Sequence, residues 1–124
     1  MSEPDPRPAV WVGHVTLQTP ELPATRDFML AIGMRDIASG EGFAVLELRG
    51  GTHLVLLASD ELPSGDAYFD LMVEDLDATH ADLRSRGLAP SEIDVGQIHS
   101  SFSVASPSGH TIKFNSTHVS DLPV

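Results

Sequence analysis

The segment His14–Met34, HVTLQTPELPATRDFMLAIGM, returns 54 residues later as Tyr68–Leu88, YFDLMVEDLDATHADLRSRGL. Without a gap, Leu17 falls on Leu71, Leu22 on Leu76, Ala24-Thr25 on Ala78-Thr79, and Gly33 on Gly87. Such a repeat fixes architecture before any single motif does, because each copy is one supersecondary unit and the chain must join two of them. Both copies open with strand-like alternation: Val15 and Leu17 against His14, Thr16 and Gln18, then Phe69, Leu71 and Val73 against Tyr68, Asp70 and Met72.

A helix follows each strand. In the first, Thr19 is the expected cap, with Pro20 in the first turn, Phe28, Met29 and Ile32 on the inward stripe and Gly33 as the stop. In the second, Asp75 caps, Leu76, Thr79 and Leu83 face inward, and Gly87 ends the helix. Three short strand candidates come after each helix, around 35–38, 43–49 and 53–58, then around 88–95, 102–105 and 111–116. Turns rich in Gly and Pro separate them.

Each half therefore reads βαβββ. The expected layout is an N-terminal tail over 1–9, a first module over 10–58, the polar linker SDELPSGD over 59–66, a second module over 67–117 and a C-terminal tail over 118–124. The expected fold class is α+β, two βαβββ modules forming curved mixed sheets around a cavity, with the helices on the outer face.

Composition narrows the partners. Seven basic residues against 18 acidic ones give a formal charge of −11, which repels a phosphate backbone and argues against nucleic acid. With no cysteine, disulfides, thiolate nucleophiles and Cys-based metal sites are removed together, so any metal must be held by His, Asp or Glu. The opening MSEPDPRPAV is acidic and carries three prolines, and no apolar run reaches the length of a membrane span. A soluble cytoplasmic protein without a membrane partner is the expectation.

Alternation sends Val15, Leu17, Phe69, Leu71, Ile112 and Phe114 toward the helices. Their neighbours look toward the opposite face, and there His14, Thr16, Gln18, His53, Val55, Tyr68, Asp70, Met72 and Lys113 form the expected ligand-binding cavity. Polar groups among apolar ones are the usual lining of a small-molecule pocket. Lys113, the sole lysine, stands in the strand that follows the turn Ser106-Pro107-Ser108-Gly109. Of the other histidines, His80, His99, His110 and His118 read as solvated, whereas His53 shares a strand face with Val55 and is the candidate for a displaced metal site with His14 and a carboxylate such as Glu47.

The paired βαβββ plan, the HVTL opening, VEDLDATHADLRSRG after the second module's first strand and the Pro-x-Gly turn into the last strand resemble the vicinal oxygen chelate superfamily. That superfamily includes glyoxalases, bleomycin-resistance proteins, fosfomycin-resistance enzymes and extradiol dioxygenases. The resemblance runs from about Gly13 to Asn115. It implies a divalent ion bound by ligands from the first and last strands of each module; carried onto this chain, those positions hold His14, Val55, Tyr68 and Lys113. Only the first suits a metal, and an ammonium at the usual carboxylate position repels one.

No cofactor is therefore expected. The reading is a glyoxalase/bleomycin-resistance-like homodimer that binds a small molecule without the usual metal. The alternative is a lyase, isomerase or dioxygenase of the same superfamily, using either displaced metal ligands or metal-free acid/base chemistry by His14, Tyr68 or Lys113.

Overall fold

The structure is a computed structural model that describes residues 3–61, 63 and 65–124. Met1 and Ser2 of the expected N-terminal tail, and Leu62 and Ser64 of the expected linker, lie outside the described residues. The first half runs β1 (His14–Thr19), α1 (Leu22–Ala31), β2 (Arg35–Gly40), β3 (Phe43–Glu47) and β4 (His53–Ala58). The second runs β5 (Leu71–Val73), α2 (Leu76–Ser85), β6 (Asp94–Val95), β7 (Ser100–Ala105) and β8 (Thr111–Ser116).

Two four-stranded sheets result, in the orders β1-β4-β3-β2 and β5-β8-β7-β6. In each, the first strand pairs parallel with the last and the other pairs are antiparallel. A parallel pair cannot be closed by a hairpin, so the intervening helix crosses one face of its own sheet. α1 packs on β3 and β4, and α2 packs on β7 and β8. The expected α+β fold of two βαβββ modules is the observed one.

The helices sit where their apolar spacing directs them. Thr25, Phe28 and Met29 are the buried residues of α1, and Leu76 and Leu83 those of α2. The first meets Leu17, Ala44, Leu46, Leu54 and Leu56; the second meets Phe102, Val104, Ile112 and Phe114, all buried. Phe102 and Phe114 stack across β7 and β8 with ring centroids 4.9 Å apart. Full burial of such a side chain contributes roughly 1.5–3 kcal/mol against about 1 kcal/mol for a typical cap, so packing sets the position of each helix.

The repeat register holds through both helices and their ends. Gly33 and Gly87 adopt φ of 119° and 78°, and the following amides close the same bonds, Met34 N–H to Met29 O and Leu88 N–H to Leu83 O.

Three local expectations are corrected. Thr19 is the last residue of β1 and not the helix cap: its buried hydroxyl bonds that of Thr25 at 2.8 Å, and the cap is Glu21, which makes no side-chain capping bond. β5 starts at Leu71 instead of Tyr68, and over 88–95 only Asp94–Val95 forms a strand. There Ala89 has φ of 51° and Pro90 offers no amide hydrogen, so the chain cannot pair until it has passed both.

Asp75, by contrast, caps α2 as expected, accepting from Ala78 N–H at 2.9 Å. Asp75→Ala is expected to lower stability by about 1 kcal/mol in urea unfolding, with an unchanged m-value. Glu21→Ala, at the matching position of α1, is expected to leave the midpoint unchanged; equal losses would contradict the capping assignment.

Candidate functional site

The sheet faces not covered by helices carry the candidate site residues. On the first sheet, cross-strand register lines up His14, His53, Glu47 and Arg35 in one row across β1, β4, β3 and β2. Thr16, Val55 and Val45 form the next row, and Gln18, Leu57 and Phe43 the one after. His14, His53 and Glu47, the residues named for a displaced metal site, stand in one row, and Arg35 joins it.

This row is internally bonded. The His14 and His53 rings meet edge to face with centroids 5.7 Å apart. His53 Nε2–H donates to Glu47 Oε2 at 3.0 Å, which fixes the proton on that nitrogen because a carboxylate only accepts. Arg35 pairs with the other carboxylate oxygen, Oε1. Hydrogen bonds from Arg35 first, and from His53 second, hold the Glu47 carboxyl below its ordinary pKa.

On the second sheet Lys113 is exposed and has no ion-pair partner among the described residues. It faces a small cavity of about 290 Å³ lined also by Asp94, Gln97, His99 and Ser101. The loop 96–99 turns back tightly over this face: Gly96 N–H bonds His99 O at 3.2 Å, and a Cβ on Gly96 would stand 2.5 Å from that oxygen.

The expected cavity residues are thus divided among four places. His14, Thr16, Gln18, His53 and Val55 lie on the open face of the first sheet. Asp70 and Met72 line a cleft of about 610 Å³ between the modules, with Met34, Leu48 and Val119. Lys113 lines the small cavity of the second sheet. Tyr68 precedes β5 and is 97% exposed, so its hydroxyl meets none of the others within one chain.

Three histidines expected to be solvated also need correction. His80 is half-buried, its Nε2–H donating to Ser91 O at 2.8 Å and its ring edge-on to Phe102 at 5.1 Å. His110 is buried, its Nδ1 bonded to Ser108 Oγ at 2.9 Å, and Ser108 Oγ bonds Ser106 Oγ at 2.8 Å. The Ser-Pro-Ser-Gly turn closes around a hydroxyl chain. His99 is half-buried and stacks on His118 at 5.0 Å. Its period-two spacing from Ser101 was the available clue, obscured because Gly96 and Gln97 read as open loop.

The positions that the resemblance assigns to a divalent ion do not fit one. Val55 and Lys113 offer no metal-binding atom, Tyr68 stands outside the strand, and His14 alone remains. Among the described residues no three His, Asp or Glu side chains are grouped to hold a metal ion, and in the His14, His53 and Glu47 group both carboxylate oxygens are already engaged.

Comparison with solved structures defines the class of fold. A lactoylglutathione lyase from Agrobacterium tumefaciens superposes with a TM-score of 0.77 at 13% identity, over 94% of this chain and 100% of that one. A genomically encoded fosfomycin resistance protein from Listeria monocytogenes gives 0.70 at 16% identity, over 87% and 93%. A glyoxalase/bleomycin resistance protein/dioxygenase from Alicyclobacillus acidocaldarius gives 0.68 at 18%, over 87% and 92%. The chain has the vicinal oxygen chelate fold. No protein-family model and no curated protein matches its sequence.

Burial lowers the His110 pKa from its ordinary 6.5. The stabilisation gained by keeping the ring neutral is complete above about pH 6.5 and is lost as pH falls through the lowered folded value. Thermal unfolding between about pH 8 and pH 5 is expected to show Tm falling toward acid, and His110→Gln to reduce that slope. An unchanged slope in the variant would remove His110 as its source.

Proposed function

We propose that the protein binds a small molecule on its open sheet faces, without the divalent ion typical of the superfamily, and works as a cytoplasmic homodimer. The observation that carries this reading is Lys113: a cation stands on the last strand of the second module, where the metal-dependent relatives implied by the resemblance present a carboxylate. Val55 on the matching strand of the first module supports it. The structural neighbours named above are, by their descriptions, a lyase, a resistance protein and a glyoxalase/bleomycin resistance protein/dioxygenase. A binder on this fold is consistent with that range.

Pairing follows from what a single chain leaves uncovered. β1 and β5 are each paired on one edge only among the described residues, and Val10, Trp11 and Val12 stand exposed just before β1. An unpaired edge strand beside exposed apolar side chains is a surface that a second copy can cover. Among the described residues no helix is long and apolar enough to cross a membrane.

One observation favours a second reading. His53 is oriented by Glu47, which Arg35 in turn anchors, and this is how a general base is held for proton transfer. A metal-free isomerase or lyase acting on an enolisable carbonyl would use it. His53→Gln would then abolish turnover and leave binding intact.

Protein purified without chelators is expected to carry no stoichiometric divalent metal, and EDTA to leave Tm unchanged; a metal lost together with stability on His14→Ala would overturn the metal-free reading. A library of neutral and charged small molecules is expected to contain compounds that raise Tm by binding the native state. Light scattering at micromolar concentration is expected to give twice the chain mass, which a stable monomer would contradict.

A further inference from the structure

We propose that the cavity beneath the 96–99 loop is a subsite for a small monocarboxylate bearing an adjacent hydrogen-bond donor, as in an α-hydroxy or α-amino acid. It rests on the reading of the open faces as a binding surface and specifies what the second sheet's face recognises.

Lys113, Ser101 and His99 line this cavity, and Asn115 lies beside Ser101 without lining it. Lys113 supplies an ammonium that forms no ion pair among the described residues, although the protein as a whole is strongly acidic. A free carboxylate is the partner that such a charge takes in a charge-assisted hydrogen bond. Two positions along β8, on the same face, Asn115 is only 3% exposed and its Oδ1 is buried without a partner. Ser101 is the cross-strand neighbour of Asn115 and lines the cavity. His99, two residues before Ser101, also lines it, and its Nδ1 is the second buried polar atom without a partner.

Buried polar atoms in a native structure are nearly always bonded, and two orphans, one on β8 and one just before β7, mark a place where a bound group completes them. An acceptor such as Asn115 Oδ1 calls for a donor on the ligand. Asp94, which pairs in register with Ser101 and lines the same cavity, accepts from a hydroxyl or ammonium and repels a second carboxylate. The donor set therefore selects one negative charge beside one donor. A cavity of about 290 Å³ limits the ligand, or the part of it held here, to a small fragment.

The orphaned amide also separates binding from stability. An unpartnered buried polar group costs stability, so replacing it with an apolar side chain of the same shape is neutral or favourable for the fold. Asn115→Leu is expected to leave the Tm of the free protein unchanged or higher while weakening ligand binding.

The test titrates isotopically labelled full-length protein with L-lactate and L-serine, using acetate and lactamide as controls, and follows backbone amide shifts. Lactate and serine are expected to shift Ser101, Lys113 and Asn115, and to bind roughly tenfold or more tightly than lactamide. Lys113→Met, at an exposed position, is expected to abolish this binding, and Asn115→Leu to erase the preference of lactate over acetate. Equal binding of lactate and lactamide, shifts confined to other regions, or Lys113→Met binding like the parent would each overturn the proposal. If a neutral compound from the library binds and no carboxylate does, the subsite fails while the binding reading stands. If nothing in the library binds either, both fail.

Discussion

The parallel pairing of each module's first strand with its last is the constraint from which the rest of the structure follows. It forces a helical crossover, and because the helix is amphipathic it must lie against the sheet it has just left. One face is thereby closed by Phe28, Met29, Leu76 and Leu83, and the other is left open twice over. The same pairing leaves β1 and β5 at sheet edges, opposite the edges held by β2 and β6, where a four-stranded sheet can be extended.

Much of this was legible in the sequence, for a physical reason. Helix ends depend on local chemistry, so Gly33 and Gly87 could be placed from the repeat alone, as could the Asp75 cap. Alternation with a period of two gave both faces of β1 and, apart from Asn115, of β8, because Leu17, Ile112 and Phe114 reach the core while His14 and Lys113 do not. Thr19 misled because a hydroxyl before proline resembles a cap, whereas its true partner, Thr25, is brought to it only by packing. Tyr68 misled for a related reason: a strand pattern states which residues can pair, and the neighbouring strand decides how many do.

The candidate site was legible residue by residue, less so as an assembly. Row membership across β1, β4, β3 and β2 depends on register, which no local pattern encodes, so Arg35 was not foreseen beside Glu47. Likewise the burial of Asn115 comes from tertiary cover on a face that alternation marks as open. Open-face residues that a single strand pattern would join in one cavity are instead divided between two modules, and only the way in which modules or chains come together can reunite them.

Gly109 lies so close to Pro63 that a Cβ there would stand 2.5 Å from the proline carbonyl oxygen, and Thr111 bonds both Gly65 and Ala67. At the other end, Ser59 N–H is bonded to Thr19 O at 2.9 Å. The connection between modules is therefore moored at Ser59 and again at Gly65, six residue steps that can span at most about 22 Å. A tether that short makes geometry select the partner. The second module can engage only a surface whose docking point lies within that radius, so lengthening or shortening these few residues would retune the choice between a self-contained chain and one that lends half of itself to a neighbour.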